Sequence, residues 1–467
     1  MSDTPPEEVK HHVLSTPGIS LLAGDSEFDL DQESAPLSET VTTAAERNRA
    51  FKILFLCQLA GGMGQTLVYA VLPPIARKLG MSEFETTMIY SLSAFLWIVT
   101  SPFWGRRSDI VGRKPIMLLG LSAFAISTTI FACLVLVALW GWLSMAVVFP
   151  LLMVSRAIFG GFGSGNGSAA QAYVADRTSR GERAAGVASL GAAFGIGTAI
   201  GPGVAAGFAQ IHIVAPFFAV AAVGFISAIL IWIYLPERTR PSHRVSVKQD
   251  KRRATLKWND RVALPWVVIS IIISFAQTII MQLCAFYFID TLKLPLDEAT
   301  EMVSVGLMAM AMATLFVQIG LIQRFNLSVQ FLLRWGAITA TASYVLLIIG
   351  GSYGVLVTAL TLAGLGFGLL RPGLGAGASL SVSRGDQGAM AGFISGTSAT
   401  GMILTPFIFL NSFIGYNVYD QMHQAPFVVG ALLAIIILLF AIFHPAMKDL
   451  NQTAEEYEDE DDGIGLK

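Results

Sequence analysis

Two arginines stand inside long apolar stretches of the chain, Arg156 and Arg371. A guanidinium group in hydrocarbon is costly unless it faces a water-filled cavity or a bonding partner. A cavity that holds two such cations and no carboxylate attracts anions, so these residues suggest recognition of an anionic group. The alternative is structural: each arginine would bond to backbone carbonyls freed at a helix break, as at Pro372 beside Arg371.

Uncharged polar side chains in the apolar stretches add hydrogen-bonding groups. Gln58, Gln65 and Tyr69 recur at spacings that place them on one face of a helix. Gln277 and Gln282 lie in a later stretch. With the two arginines, these five residues form the candidate transport cavity. The alternative for Gln277 and Gln282 is a hydrogen bond to a neighbouring helix.

Carboxylates are placed differently, because none falls in the middle of an apolar stretch. Asp290 and Glu301 lie at stretch ends on one predicted side, and Asp109 and Asp176 lie at ends on the other. The sequence therefore offers no acid inside the candidate cavity that would carry a proton.

No set of residues suggests catalytic, metal or cofactor chemistry. The six histidines form no cluster within the apolar stretches, and no G-x-x-x-x-G-K-[ST] phosphate loop occurs. The three cysteines, Cys57, Cys133 and Cys284, have no paired spacing and are predicted to be buried thiols. We predict no catalytic residue, metal or cofactor, and we disfavour an ATP-driven pump.

Composition identifies the medium that surrounds these groups. Hydrophobic residues make up 54% of the 467 residues and charged residues only 13%, about half the charged share of an ordinary soluble protein. Mean hydropathy is +0.64. The chain is therefore expected to be an all-α, polytopic membrane protein. Its net charge of −2 indicates no partner, and no nucleic acid is expected.

Apolar stretches of roughly 20 residues recur along the chain, each long enough to cross ~30 Å of hydrocarbon as a helix. They predict about twelve transmembrane helices in two pseudo-symmetric six-helix bundles, near 51–74, 85–104, 115–138, 144–173, 183–209, 214–235, 263–289, 299–322, 329–350, 353–381, 386–413 and 425–445. We expect a disordered cytoplasmic tail at 1–46, bundles at 47–237 and 261–447, a cytoplasmic linker at 238–260 and an acidic cytoplasmic tail at 448–467.

Basic residues predict the orientation. Short loops assigned to one side hold most of the arginines and lysines, whereas those on the other side hold only Arg77, Lys78 and Lys293. Because basic loops collect on the cytoplasmic side, both termini are predicted to be cytoplasmic. A bacterial inner (plasma) membrane is the expected location.

A charged segment between the second and third stretches carries the clearest motif. Gly105, Asp109, Gly112, Arg113 and Lys114 resemble the G-x-x-x-D-[RK]-x-G-R-[RK] loop of the major facilitator superfamily, with Ile110 where a basic residue is usual. The two glycines are expected to form a tight turn. The resemblance implies a cytoplasmic latch of Gly105, Asp109, Gly112, Arg113 and Lys114 with Asp176, Arg180 and Arg384. The alternative is static charge that only sets topology.

An internal repeat relates the two halves. Ser179-Arg180-Gly181-Glu182 returns as Ser383-Arg384-Gly385-Asp386, and at the same spacing Gly197 and Pro202 return as Gly401 and Pro406. Such a parallel repeat is the arrangement of major facilitator transporters and implies a cavity between rocking halves.

Two further segments resemble the drug:proton antiporter branch of that superfamily. Gly197, Gly201 and Pro202 resemble its G-x-x-x-G-P motif, and Arg156 with Gly160 resembles its R-x-x-x-G pattern. Small residues allow close helix packing, and Pro202 and Pro406 allow bending. The alternative for the glycines is packing alone, which is also how we interpret the glycine-rich run at 161–167.

The resemblance implies a secondary transporter, an exporter of small organic molecules that runs as a proton antiporter, with a preference for anionic or carboxylate-bearing substrates. Its expected partners are a small-molecule substrate, protons and the lipid bilayer, and we expect a monomer. The alternatives are a proton-independent facilitator and, from other classes, a membrane-embedded enzyme or a receptor.

Overall fold

The computed structural model describes residues 44–178, 180–237, 256–325, 327–383, 386–410 and 418–447. Within these ranges, twelve helices are long and apolar enough to cross a membrane. Residues 44–46, predicted as the end of the N-terminal tail, belong to α1. The rest of the predicted terminal tails and most of the predicted linker lie outside the described residues.

Six helices form the first half of the chain: α1 Ala44–Lys78, α2 Glu83–Val111, α3 Arg113–Leu139, α4 Met145–Ala175, α5 Arg180–Ala209 and α6 Ala215–Tyr234. Six more form the second half: α7 Ala263–Leu292, α8 Leu296–Ile322, α9 Val329–Ile349, α10 Tyr353–Leu380, α11 Gln387–Phe409 and α12 Ala425–Phe443. A short helix, Val418–Gln421, precedes α12. The all-α, twelve-span fold is confirmed.

Many large apolar side chains lie on the outer surface of this fold. Trp232 is 67% exposed and Phe443 is 69% exposed, whereas Trp266 and Tyr344 are fully buried between helices. An apolar surface of this extent requires a lipid environment. The same surface corrects the prediction of three buried thiols, because Cys133 is exposed while Cys57 and Cys284 are buried.

The internal repeat reappears in the packing. A Cβ atom at Gly197 of α5 would collide with the carbonyl of Leu59 in α1. A Cβ at the repeat-related Gly401 of α11 would lie 2.6 Å from the Cα of Phe275 in α7. In both halves a glycine thus lets the fifth helix of the bundle touch the backbone of its first.

The charged segment at 105–114 differs from its expected form, because most of it lies within α2. α2 continues through Gly105 to Val111, so Gly105 lies inside a helix and forms no turn. The turn is at Gly112, whose φ of 111° lies in a region that favours glycine. The Trp104 indole N–H donates to the Gly161 carbonyl of α4 over 2.6 Å. Because this contact continues the packing of α2 against α4, the basic segment stays helical.

Among the described residues, three helices depart from regular α geometry. α4 contains a π-helical segment at Phe159–Gly163, and α8 ends in one at Phe316–Ile322. α11 is interrupted at Ser398 and Ala399, between helical segments Gln387–Thr397 and Thr400–Phe409. Insertions and breaks of this kind often accompany functional sites in membrane helices.

Candidate functional site

Two adjoining cavities lie between the bundles. The first has a volume of about 380 Å³ and is lined mostly by α1 to α5. The second has a volume of about 290 Å³ and is lined by α1, α5, α7, α8, α10 and α11. The two linings share six residues: Gln65, Tyr69, Phe194, Arg371, Ser398 and Met402. We call the two together the central cavity.

Arg156 lines the first part of the central cavity. It comes from α4, three residues before the π-helical segment, and is 6% exposed. Its guanidinium carbon lies 4.8 Å from the centre of the Phe159 ring, in cation–π contact. Its Nε has no hydrogen-bond partner, and none of the described side chains forms an ion pair with it. The guanidinium is therefore a buried cation without a counter-charge.

Arg371 of α10 lines both parts of the central cavity and is more exposed than Arg156. Its Nε donates to the Oε1 atom of Gln277 in α7 over 2.6 Å. The predicted alternative, bonding to a carbonyl freed at Pro372, is not the contact that the described residues make. Gln277 thus holds one edge of the guanidinium and leaves the other directed at the cavity.

The glutamines differ in their surroundings. Gln58 and Gln65 line the first part of the cavity, and Gln277 lines the second. Gln58 accepts a hydrogen bond from Asn166 of α4 over 3.2 Å. Gln282, predicted with them, is instead buried between α7 and α11, where its Nε2 donates to the Met402 carbonyl over 3.1 Å. Its contact is the neighbouring-helix bond that was the alternative.

Aromatic rings surround Arg156, and the sequence did not predict this. Tyr69 and Tyr90 contact each other with ring centres 4.8 Å apart. Phe159 lies between Trp97, at 5.4 Å, and Phe124, at 5.3 Å. All five rings line the cavity, as does Asn166. The available signal was Phe159 between Arg156 and the glycine-rich run at 161–167, a run that we interpreted only as packing.

Gly163 makes room for this ring arrangement. A Cβ atom there would lie 2.6 Å from the Phe159 ring and 3.3 Å from Trp97. The Phe159 ring lies beneath Arg156 because residues three apart share a face of a helix, and the π-helical segment Phe159–Gly163 begins at this residue.

The two helix-bending prolines each free a carbonyl four residues earlier, because proline has no N–H. Pro202 frees the Thr198 carbonyl, which accepts a hydrogen bond from Thr66 of α1 over 3.0 Å. Pro406 frees the Met402 carbonyl, which accepts from Gln282 of α7 and also from Ser91 of α2 over 2.7 Å. The bonds donated by Thr66 and Gln282 each lie within one bundle, whereas the bond donated by Ser91 joins the two bundles.

The predicted latch residues lie at the predicted cytoplasmic end. Arg113 pairs with Asp109 at 2.6 Å and with Asp176 at 3.1 Å, and all three belong to the first bundle. The Lys114 N–H donates to the Glu237 carboxylate over 2.7 Å. The side chain of Arg180 and the whole of Arg384 lie outside the described residues, so a latch between the bundles stays a prediction.

Ion pairs between the bundles lie at the opposite end. Arg77 of α1 contacts Asp290 of α7 at 2.8 Å and Glu83 of its own bundle at 2.5 Å. Lys78 pairs with Asp297 of α8. The Tyr419 hydroxyl donates to Asp290 over 2.9 Å. The central cavity is therefore closed over at this end by charge pairs.

No group of three or more potential ligands for a metal occurs among the described residues. The arrangement is a partly aromatic cavity between two repeats, with two guanidinium groups directed into it. It can bind a small molecule and can open at one end or the other when the bundles rock.

Comparisons with known proteins agree with this architecture. The family model described as the Major Facilitator Superfamily matches residues 54–406. Multidrug resistance protein 1 of Bacillus subtilis is 25% identical over 78% of this chain and 89% of its own. The class B tetracycline resistance protein of Escherichia coli is 27% identical over 85% of this chain and 96% of its own.

Among solved structures, a D-xylose–proton symporter superposes with a TM-score of 0.66 at 16% identity, covering 86% of this chain and 98% of the other. This likeness shows the fold alone. The family match spans both bundles, the repeat and the central cavity, and it excludes the membrane-embedded enzyme. The chain belongs to the major facilitator superfamily and is a multi-span secondary transporter.

Proposed function

We propose that this protein exports small organic anions or carboxylate-bearing molecules by alternating access. The observation that supports this most is the lining of the central cavity, which includes Arg156 and Arg371 but no described carboxylate. A site with two cations and low-dielectric walls concentrates anions. The relatives' names, which refer to multidrug and tetracycline resistance, support export of organic molecules as the direction.

We further propose proton antiport as the coupling mode. It is supported by the glycine–proline motif at Gly197, Gly201 and Pro202, which resembles that of drug:proton antiporters and packs closely against α1. The bending prolines suit a helix that changes shape as the bundles rock.

Proton-independent facilitation is the second candidate, because no described acid lines the cavity as a proton carrier. An inside-negative membrane potential of 100 mV favours exit of a monoanion by about 2.3 kcal/mol. An anion exporter can thus run outward without proton coupling.

The deciding experiment reconstitutes the full chain in liposomes that contain a pH-sensitive dye. The liposomes are challenged with organic anions and with lipophilic cations of matched size. Anion-evoked proton flux that falls in Arg156→Ala and Arg371→Ala would support anion–proton antiport. Anion movement without a pH change would support facilitation instead. Transport of cations alone, unchanged in both variants, would overturn the preference for anions.

Arg334→Ala is the matched control for this experiment. Arg334 lies near the start of α9 and bonds to the Ala441 carbonyl over 3.1 Å, and it does not line the central cavity as described. Its loss removes an equal charge from the spans but should leave anion selectivity unchanged.

We also propose that the protein is a monomer in a bacterial plasma membrane with both termini in the cytoplasm. The one-sided distribution of basic residues supports the orientation. Epitope tags at each terminus that become accessible to antibody only after permeabilisation would support it, and tags accessible on intact cells would overturn it.

A further inference from the structure

The first part of the central cavity combines two features that ordinary helix packing does not require together. Arg156 is a buried cation without a hydrogen-bonding partner at Nε or any ion pair among the described residues. Next to it, Phe159, Trp97 and Phe124 present contiguous aromatic surface to the cavity. A buried charge without a partner costs free energy unless something supplies the partner.

Arg156 lines the cavity, so a partner can reach its guanidinium from there. The ring of Phe159 already covers one face of the guanidinium at 4.8 Å, but a cation–π contact does not satisfy the N–H donors. A carboxylate offers two acceptor oxygens that match the planar donors of an arginine. Arg156 therefore has the properties of an anion-binding residue, whereas Arg371 already donates to Gln277.

The aromatic rings of Phe159, Trp97 and Phe124 indicate the chemistry of the rest of the ligand. Aromatic surfaces prefer offset-stacked or edge-to-face contact with another ring at about 4.5–7 Å between centres, and such pairs are more stable than burial alone would make them. The centre of the Phe159 ring lies 5.4 Å from that of Trp97 and 5.3 Å from that of Phe124, and both contacts are tilted. A ligand ring can add a further contact of the same kind. The volume of about 380 Å³ suits a ligand of one or two rings.

We propose that the substrate is an aromatic carboxylate, bound with its carboxylate on Arg156 and its ring against Phe159, Trp97 and Phe124. This proposal rests on the proposed export of anions and narrows its substrate class. Arg371, at the junction of the two parts of the cavity, would contact a second polar group of a longer ligand.

The test measures ligand-induced shifts in the melting temperature of the purified full chain with four probes. The probes are 1-naphthoate, decalin-1-carboxylate, 1-naphthalenemethanol and 1-naphthylmethylammonium. They separate the contribution of charge from that of the ring. We expect 1-naphthoate to bind at least fivefold more tightly than decalin-1-carboxylate, and the neutral and cationic probes to produce no shift.

Two variants assign the contributions to residues. Arg156→Gln should weaken naphthoate binding at least tenfold. Phe159→Leu should weaken naphthoate about fivefold more than it weakens decalin-1-carboxylate, because the lost cation–π contact to Arg156 affects both ligands whereas the lost ring contact affects only naphthoate. Phe225→Leu is the control, since Phe225 is 40% exposed on the lipid-facing surface. If Arg156→Gln does not fold, the probe panel on the native chain and Phe159→Leu still decide the question.

The outcomes separate this proposal from the one on which it rests. Equal binding of both carboxylates, with Phe159→Leu unchanged, would overturn the aromatic substrate class and leave anion export standing. Binding of the naphthylmethylammonium probe alone would overturn both proposals.

Discussion

Arg77 and Asp290 form an ion pair of 2.8 Å that joins α1 of the first bundle to α7 of the second. Glu83 contacts the same guanidinium at 2.5 Å from within the first bundle. The pair lies at the end of the helices opposite the charged segment that was predicted to form a latch. In this conformation the described charge pairs between the bundles therefore hold the predicted outer end closed.

Asp290→Asn should weaken this closure. A hydrogen bond to a charged group contributes about 1.5–3 kcal/mol, so the population open at the outer end should rise roughly tenfold or more. Arg77 keeps Glu83 as its partner, so no charge is left stranded. The measurement is the labelling rate of Ala94→Cys, in a chain without its native cysteines, by an impermeant thiol reagent from the predicted outer side; Ala94 lines the cavity.

Asp297→Asn is the matched control, since it removes the neighbouring pair with Lys78. Asp297 is 87% exposed, and exposed pairs contribute 0–1 kcal/mol or so. Equal labelling rates in the two variants would contradict the role given to Asp290.

The buried hydroxyl of Tyr419 should make the folded protein less stable at alkaline pH. Burial raises the pKa of Tyr419, and the Asp290 carboxylate that accepts its hydrogen bond acts in the same direction. Because the folded pKa exceeds the unfolded value of about 10, stability is complete below pH ~10 and is lost as the pH rises further. The melting temperature should fall between pH ~10 and 11, and by less in Tyr419→Phe. A parallel fall in both proteins would sink this idea.

Gly197→Ala should destabilise the first bundle, because its new methyl group would collide with the Leu59 carbonyl. Overpacking of this kind costs typically 1–3 kcal/mol. Gly207→Ala, in the same helix, would meet no atom within 4 Å and should be tolerated. Thermal unfolding followed by size-exclusion chromatography compares them. A melting temperature for Gly197→Ala at or above the native one would show that the α1–α5 contact adapts easily.

Gln277→Glu should lower the affinity for organic anions about tenfold, the effect of placing a counter-charge 2.6 Å from the Arg371 Nε. Gln277→Ala removes the contact without adding charge and should have a smaller effect. Half-saturating concentrations for anion transport in proteoliposomes measure both. An unchanged value in Gln277→Glu would indicate that Arg371 does not contact the substrate.

Helical periodicity and the cost of buried charge were enough to indicate much of this arrangement. Gln58 and Gln65 face the cavity because residues seven apart share a helix face, and Arg156 and Arg371 could be selected because charge is rare in membrane helices. Gln282, five residues after Gln277, points to a different side of α7 and contacts α11. Sequence alone could not separate these glutamines without knowing which side of α7 is covered.

Other features depend on packing that a pattern does not encode. The π-helical segment that begins at Phe159 shifts the register of α4, and a single inserted residue leaves no signature in hydrophobic spacing. Gly105 was expected at a turn, but tertiary contact of Trp104 extends α2 beyond it. In both places tertiary packing, and not local sequence preference, decides the backbone conformation.

The Met402 carbonyl shows how the bundles can separate at small cost. Pro406 leaves this oxygen without its helical donor, and its two lone pairs are filled by Gln282 and Ser91. When the outer end opens, Ser91 departs with the first bundle but Gln282 remains, and water entering the cleft replaces the hydroxyl. At this carbonyl, opening would therefore exchange one neutral hydrogen bond, a change of about 1 kcal/mol, and would strand no polar atom in hydrocarbon. A residue usually regarded as a helix breaker thus makes the interface between the bundles reversible.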